Sequence, residues 1–302
     1  MFDVIIIGSG PAGMTAAIYA KRAGLNVLIL EGSAPGGQIN KTVLIENYPG
    51  FKEIDGPSLA IKMFEQISSL NIEYRYGNVL EIIDKGNNKL VKTDKEEILG
   101  KAVIIATGRK SKELGIENEN KLTGRGISWC AVCDGPLFKN KEVIVIGGGN
   151  SAVEESLYLS DIASKVTLIH RRNELRADNI LQDKIKNNPK INILWDTIPI
   201  KFNEKDNKLD SVTVKNKVTD KEYDINCDGI FIYIGFIPVT NIINKFDISD
   251  KMGYIITDED MRTKVKGIYA AGDVRKKELF QITTAISDGA IAAISVKNDL
   301  NS

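Results

Sequence analysis

Two stretches of the chain carry the same succession of apolar and polar positions. A β-branched run, Val4 to Ile7 in one and Val143 to Ile146 in the other, passes into a glycine-rich turn. An alanine-rich segment of helical period then follows. The first helix is expected from about Ala12 to Ala23, ended by Gly24 as a C-cap, and the second from about Ser151 to Ile162. A second apolar strand comes after each helix, Asn26–Leu30 and then Lys165–Ile169. Residue 31 lies 23 positions beyond Gly8, and residue 170 lies 23 beyond Gly147. One βαβ unit has been used twice.

The repeat extends further. Val103–Gly108 and Ile230–Gly235 read as matching closing strands. Strand-rich stretches punctuated by Lys and Asn, Glu73–Lys101 and Asn192–Asp224, read as antiparallel meanders inserted before each closing strand. The tail, with Gly267–Asp273 and a last helix from about Thr283 to Val296, has no βαβ unit of its own and is expected to return to the first domain. The predicted class is α/β: two Rossmann-like dinucleotide-binding domains of three-layer ββα architecture, the second inserted into the first. The first would comprise 1–113 and 241–302, the second 114–240.

Composition narrows the partners. Of 302 residues, 40 are basic and 40 acidic, which gives no reason to expect a nucleic-acid partner. The longest apolar run, Ile230 to Val239, is too short for a bilayer and contains Gly235 and Pro238. The first strand starts at Phe2, leaving no room for a signal peptide. A cytoplasmic protein without a membrane partner is expected.

The glycine turns carry the first chemistry. Gly8-Ser9-Gly10-Pro11-Ala12-Gly13 and Gly147-Gly148-Gly149-Asn150-Ser151-Ala152 each let backbone approach a pyrophosphate, with a helix N-terminus supplying N–H donors. Two copies in strand–turn–helix context are far more specific than one. Glu31 ends the second strand of the first unit, where a carboxylate accepts from ribose hydroxyls, as an adenosine lacking a 2′-phosphate requires; FAD fits. The second unit has His170-Arg171-Arg172, with Arg176 four residues beyond, and guanidinium groups grip a 2′-phosphate. That pocket reads as one for NADPH. A solvated basic turn is the lesser alternative for this stretch, and its place in the repeat weakens that alternative further.

Between the fingerprints stands Cys130-Ala131-Val132-Cys133, followed by Asp134. Two cysteines at this spacing close a readily exchanged disulfide, and a helix starting at Cys130 would favour its thiolate. A zinc half-site is the alternative, but no second close cysteine pair exists. Cys227 reads as a small core residue. Asp134 is either a turn residue or a general acid beside the dithiol. Trp129 reads as cover for apolar surface.

With these residues in hand, the chain resembles the low-molecular-weight thioredoxin reductases of bacterial type over essentially its whole length. The resemblance rests on Gly8–Gly13, Gly36-Gly37-Gln38-Ile39, Glu46-Asn47-Tyr48-Pro49-Gly50, Ala106-Thr107-Gly108 and Cys130–Gly135. It continues through Gly147–Ala152, His170-Arg171-Arg172 with Arg176, and Ala271-Gly272-Asp273. It implies FAD in the first domain, NADPH in the second and a homodimer. It also implies Gly36, Gly37, Gln38 and Asn47 near the flavin ring, Gly272 and Asp273 at the ribityl chain, and the Gln281 backbone at the pyrimidine edge. By the same resemblance Cys133 faces the flavin, Asp134 is the acid, and Cys130 attacks the disulfide of thioredoxin while the inserted domain rotates between half-reactions. A different small disulfide protein, glutaredoxin-like or peroxidase-linked, is the alternative partner. One position departs from the family: Phe280 precedes Gln281 where arginine is common, and Lys276 or Lys277 are the nearby sources of charge.

Overall fold

Near-continuous apolar runs are what a parallel strand covered on both faces requires, and Phe2–Ile7 is such a run, with Val4, Ile5 and Ile6 fully buried. The computed structural model describes residues 1–42 and 45–301. The chain divides into two units, Met1–Lys110 with Ile237–Ser302, and Ser111–Phe236. The changeovers fall three or four residues before the sequence-based ones at 113 and 240. Both crossing segments, Arg109–Ser111 and Phe236–Pro238, pair with each other as a two-stranded ribbon.

In the first unit, Phe2–Ile7 pairs in parallel with Val27–Glu31 on one side and Glu97–Ile105 on the other. Glu73–Tyr76 adds in parallel beyond Val27–Glu31. Val79–Lys85 and Asn88–Thr93 form the antiparallel hairpin at the opposite side. Glu97–Ile105 thus serves two patterns: its first half completes the hairpin sheet and its second half is the closing parallel strand. Ile268–Ala270 takes the free edge of that second half, in parallel. The helix Pro11–Arg22 follows the turn and packs against Ile282–Asn301 through Ala12, Ala16, Ala285, Ala292 and Ala293. Contact there is backbone-close: a Cβ on Gly289 would stand 2.2 Å from the Ala12 carbonyl oxygen.

The second unit repeats the plan with the sheet order Ile191–Leu194, Lys165–Ile169, Glu142–Gly147, Gly229–Tyr233, Ile127–Ser128, all parallel. A separate antiparallel sheet holds Thr197–Lys205, Lys208–Asn216 and Glu222–Asn226. The helix Asn150–Ile162 covers the parallel sheet through Val153 and Leu159.

Two expectations need correction. The stretches read as wholly antiparallel meanders each begin with a strand of the parallel sheet, Glu73–Tyr76 and Ile191–Leu194. Short alternating strands look the same in sequence whichever way their distant partner runs. The helix Gly56–Ser69, capped by the Asp55 carboxylate accepting from Ser58 N at 2.8 Å, was not anticipated. No helix among the described residues is long and apolar enough to cross a membrane.

Gly289→Ala should cost about 1–3 kcal/mol, because the helices must part to admit the methyl group. Gly149→Ala, where a Cβ meets nothing within 4 Å and φ is −96°, should shift stability by less than about 0.5 kcal/mol. Urea unfolding of both variants checks this; equal losses would contradict the close-packing account.

Candidate active site

In the first unit, Gly8, Gly10, Gly13, Gly36, Gly37 and Gly272 meet at one turn. Gly8 has φ +103°, and a Cβ there would lie 2.4 Å from the Ala106 carbonyl oxygen; on Gly13 it would lie 1.9 Å from the Gly8 oxygen. Gly10, by contrast, faces open space, and the helix it caps has no side-chain cap. N–H donors at a helix N-terminus are thereby left without a side-chain cap beside open space at Gly10, an arrangement that fits the pyrophosphate of a dinucleotide. Pro11 stands at the first helical position, where its missing N–H costs nothing. Gly36 N donates to Ser9 O at 2.8 Å, Gly37 lies against Gly10, and a Cβ on Gly272 would meet Ala12 Cβ at 2.7 Å.

Polar residues of the first unit are linked to one another. Glu31 accepts from Ser9 N at 2.7 Å and Ser9 Oγ at 2.9 Å with one oxygen, and from Ser33 N at 2.8 Å with the other. Gln38 Nε2 donates to Arg109 O at 3.0 Å, and Asn47 Nδ2 donates to Gln281 Oε1 at 3.2 Å. Thr107 Oγ1 donates to Val239 O at 2.7 Å, while Gly108 O accepts from Val239 N at 3.0 Å. Asp273 pairs with Arg109 at 3.1 Å and with Lys277 at 3.5 Å. The Arg109 guanidinium stands 4.3 Å from the Phe280 ring centroid, and Lys277 Nζ 5.8 Å. Arg109 and Lys277 both stand within cation–π range of the Phe280 ring. Lys277 was one of the two lysines considered from sequence; Arg109 was missed because its partners are distant in the chain.

The second turn is built alike. Cβ atoms on Gly147 and Gly148 would lie 2.4 Å from Tyr233 O and 2.2 Å from the His170 ring, whereas Gly149 is open and caps its helix without a side chain. Hydrogen bonds lace the basic loop to this turn: His170 Nδ1 to Gly147 O at 2.7 Å, Arg176 N to Gly148 O at 2.7 Å, Asn150 Nδ2 to Asp178 Oδ2 at 2.8 Å and Asp178 N to Asn150 Oδ1 at 2.9 Å. Arg171, Arg172, Arg176 and Ser151 are exposed beside it. The site therefore fits a phosphorylated dinucleotide. His170 packs against Gly148 of this turn. It is 4 % exposed, its Nε2 lies 2.8 Å from Glu174 O, and burial first of all holds its pKa below the usual value. The imidazole shapes the pocket from beneath. Lys217, whose Nζ reaches Arg171 O at 3.4 Å, adds a cation that no motif signals.

Also in the second unit, Cys130 and Cys133 are joined in a disulfide with Cα atoms 5.3 Å apart. Cys130 caps the short helix Ala131–Asp134, its Sγ accepting from Cys133 N at 3.2 Å, and its own N–H is taken by Ser128 Oγ at 2.9 Å. Backbone donation to Sγ is what favours a thiolate on that sulfur. Cys130 is 7 % exposed, while Cys133 is exposed. Asp134 follows within the same turn and is half-buried. Tyr233 Oη accepts from Ala131 N at 2.8 Å, a contact sequence could not show. Cys227 is a buried free thiol whose pKa burial pushes up, as suits a core residue.

Two dinucleotide cradles, one sharing its unit with a redox-ready disulfide, define a nucleotide-dependent oxidoreductase acting on disulfides. The chain belongs to the pyridine nucleotide-disulphide oxidoreductase family, whose model matches residues 2–289. It is 49 % identical over 298 residues to the thioredoxin reductase of Bacillus subtilis, covering 99 % of this chain and 94 % of that protein. It is 47 % identical to the thioredoxin reductase of Listeria innocua, covering 97 % and 92 %. Among solved structures, Lactococcus lactis thioredoxin reductase in its FR conformation matches with TM-score 0.95 and 47 % identity, over 100 % of this chain and 99 % of that one. T. acidophilum thioredoxin reductase matches with TM-score 0.91 and 36 % identity, over the same shares. The chain is a flavoprotein of this family, using FAD and NADPH.

Arg171→Ala with Arg172→Ala should raise KM for NADPH by roughly 10- to 100-fold, about 1.4–2.7 kcal/mol for the two charge-assisted contacts together, because both guanidinium groups are solvent-screened. KM for NADH should move by less than about threefold, having no 2′-phosphate to lose. Steady-state kinetics with both nucleotides check this, and equal losses would remove the 2′-phosphate assignment.

Proposed function

We propose that this chain catalyses the NADPH-dependent reduction of the disulfide of thioredoxin, through FAD and the Cys130–Cys133 pair. The observation that carries the reading is the disulfide itself, in the same unit as an arginine-rimmed dinucleotide turn. Thioredoxin is the partner named in the relatives' own names. They lend nothing to a glutaredoxin-like or peroxidase-linked adaptor.

FAD would be held at Gly8, Gly10, Pro11, Ala12, Gly13 and Glu31, with Gly36, Gly37, Gln38, Asn47, Ala106, Thr107, Gly108, Gly272, Asp273 and Gln281 around the rest of the cofactor. NADPH would be held at Gly147, Gly149, Asn150 and Ser151, with Arg171, Arg172 and Arg176 on the 2′-phosphate and His170 shaping the turn. When bound, NADPH would supply the electron pair, and FAD would supply the two-electron carrier chemistry between the nucleotide and the disulfide.

The chain's own residues then divide the work. Opening the disulfide consumes two electrons and one proton, leaving one thiol and one thiolate. Asp134, one residue beyond Cys133, supplies the proton. Cys133 is the sulfur reduced from the flavin side. Cys130 keeps the negative charge, stabilised by the Cys133 N–H, and attacks the disulfide of thioredoxin. Cys133 resolves the resulting mixed disulfide. Access and charge point to different sulfurs here: Cys133 is the exposed residue, while the backbone favours Cys130 as nucleophile. Rotation of the second unit about Arg109–Ser111 and Phe236–Pro238 would present Cys130 to its partner. A cytoplasmic homodimer, paired through the first unit, completes the proposal.

Cys133→Ser should leave flavin bleaching by NADPH intact, abolish thioredoxin turnover, and accumulate a mixed disulfide between Cys130 and thioredoxin. Absorbance of the flavin, a coupled turnover assay and mass spectrometry of the adduct measure the three. Wild-type-like turnover would refute the relay, and trapping only in Cys130→Ser would reverse the roles of the two sulfurs.

A further inference from the structure

One buried carboxylate of the second unit has no role in the steps above. Glu155 lies on the helix Asn150–Ile162, one turn before Tyr158 and Leu159 and on the same face. That face meets the dithiol segment: a Cβ on Gly135, the residue after Asp134, would come 3.2 Å from Leu159 Cδ2 and 3.4 Å from Tyr158 Cε1. Glu155 Oε2 is shut off from solvent and has no hydrogen-bond partner among the described residues. Folded proteins rarely leave a carboxylate oxygen so exposed to desolvation unless the group is neutral for part of its working life. The groups around it are Glu154 and Tyr158 on its own helix, Tyr233 on the neighbouring strand, and Asp134 near Tyr233. None is cationic. Tyr233 in turn fixes the N–H of Ala131, next to Cys130.

We propose that Glu155 is a positioning residue for the redox step, which takes up a proton when the Cys130–Cys133 pair is reduced and so offsets the charge of the new thiolate. The bookkeeping is closed. Two electrons break the Sγ–Sγ bond, one proton makes a thiol of one sulfur, and the other sulfur stays a thiolate. A second proton, drawn from solvent, converts the Glu155 carboxylate to the carboxyl. Coupling of this kind between nearby acids is reciprocal: the thiolate raises the proton affinity of Glu155, and an ionised Glu155 opposes the thiolate. Burial, and after it Glu154, pushes the Glu155 carboxyl up to about 7 before any thiolate is present. Glu155 is therefore mostly neutral at lower pH and ionised at higher pH in the oxidised protein, and its uptake of a proton on reduction is confined to the upper range.

The inference rests on the redox role of Cys130–Cys133 but not on thioredoxin as partner, because glutathione can poise the pair directly. The flavin-loaded protein and its Glu155→Gln variant are equilibrated with glutathione redox buffers between about pH 6 and pH 8.5, quenched, alkylated and counted by mass spectrometry. Near pH 6 the two should agree within about twofold. At pH 8.5 the dithiol-to-disulfide ratio should be about tenfold higher in the variant, corresponding to a coupling of one pK unit. Parallel curves across the whole range would overturn the proposal, since a merely structural effect shifts every pH alike. Reduced-minus-oxidised infrared difference spectra of the wild-type protein near pH 8 give a readout that needs no variant: a protonated carboxyl band must be gained on reduction. Its absence would equally overturn the proposal. Failure of thioredoxin turnover with both results as expected would count against the partner alone.

Discussion

Each nucleotide turn depends on backbone packed against backbone with no side chain between. Gly13 approaches the Gly8 carbonyl, and Gly147 approaches that of Tyr233, closer than any Cβ would permit. Because the strand end and the helix start are held this near, the helix N-terminus cannot be covered by its own turn. Gly10 and Gly149 are left open, and no side chain caps either helix. The exclusion of side chains at some glycines and the open space at others together make an anion site of each helix start.

In the second unit the same constraint reaches the sulfur chemistry through one residue. Tyr233 presents its carbonyl beneath Gly147 and its hydroxyl to the N–H of Ala131. The strand Gly229–Tyr233 therefore fixes the nucleotide turn and the start of the dithiol helix at once. Its phenol is pushed well above the usual range by burial first and by Glu155 second, so it remains a neutral hydroxyl at any working pH. The backbone N–H groups at Cys130 and Cys133 are thereby set before any electron arrives. In the first unit, Arg109 has an analogous linking place: its carbonyl receives Gln38, its guanidinium pairs with Asp273, and the Phe280 ring lies beside it.

Much of this was legible from the order of residues. Both glycine turns, the strands and helices that flank them, the closing strands and the dithiol lie in contiguous runs whose period and composition are local properties. Glu31 and the arginines at 171, 172 and 176 were legible because the repeat gives their positions. The direction of Glu73–Tyr76 and Ile191–Leu194 was not, since it is set by a partner strand far away in the chain. Neither was the buried role of His170, which depends on the carbonyls of Gly147 and Glu174 rather than on its neighbours in sequence. Glu155 and Tyr233 gave no motif at all. Their significance lies in what burial does to a phenol placed between a nucleotide turn and the dithiol helix, and to the acid that acts on that phenol.

The central claim is that electrons from the nucleotide reach the Cys130–Cys133 disulfide. Anaerobic addition of one equivalent of NADPH to the flavin-loaded protein, followed by quenching, alkylation and peptide mass spectrometry, measures this directly. The account predicts alkyl groups on Cys130 and Cys133 together, with the buried Cys227 unmodified under native conditions. NADPH oxidised while the disulfide stays intact would contradict it.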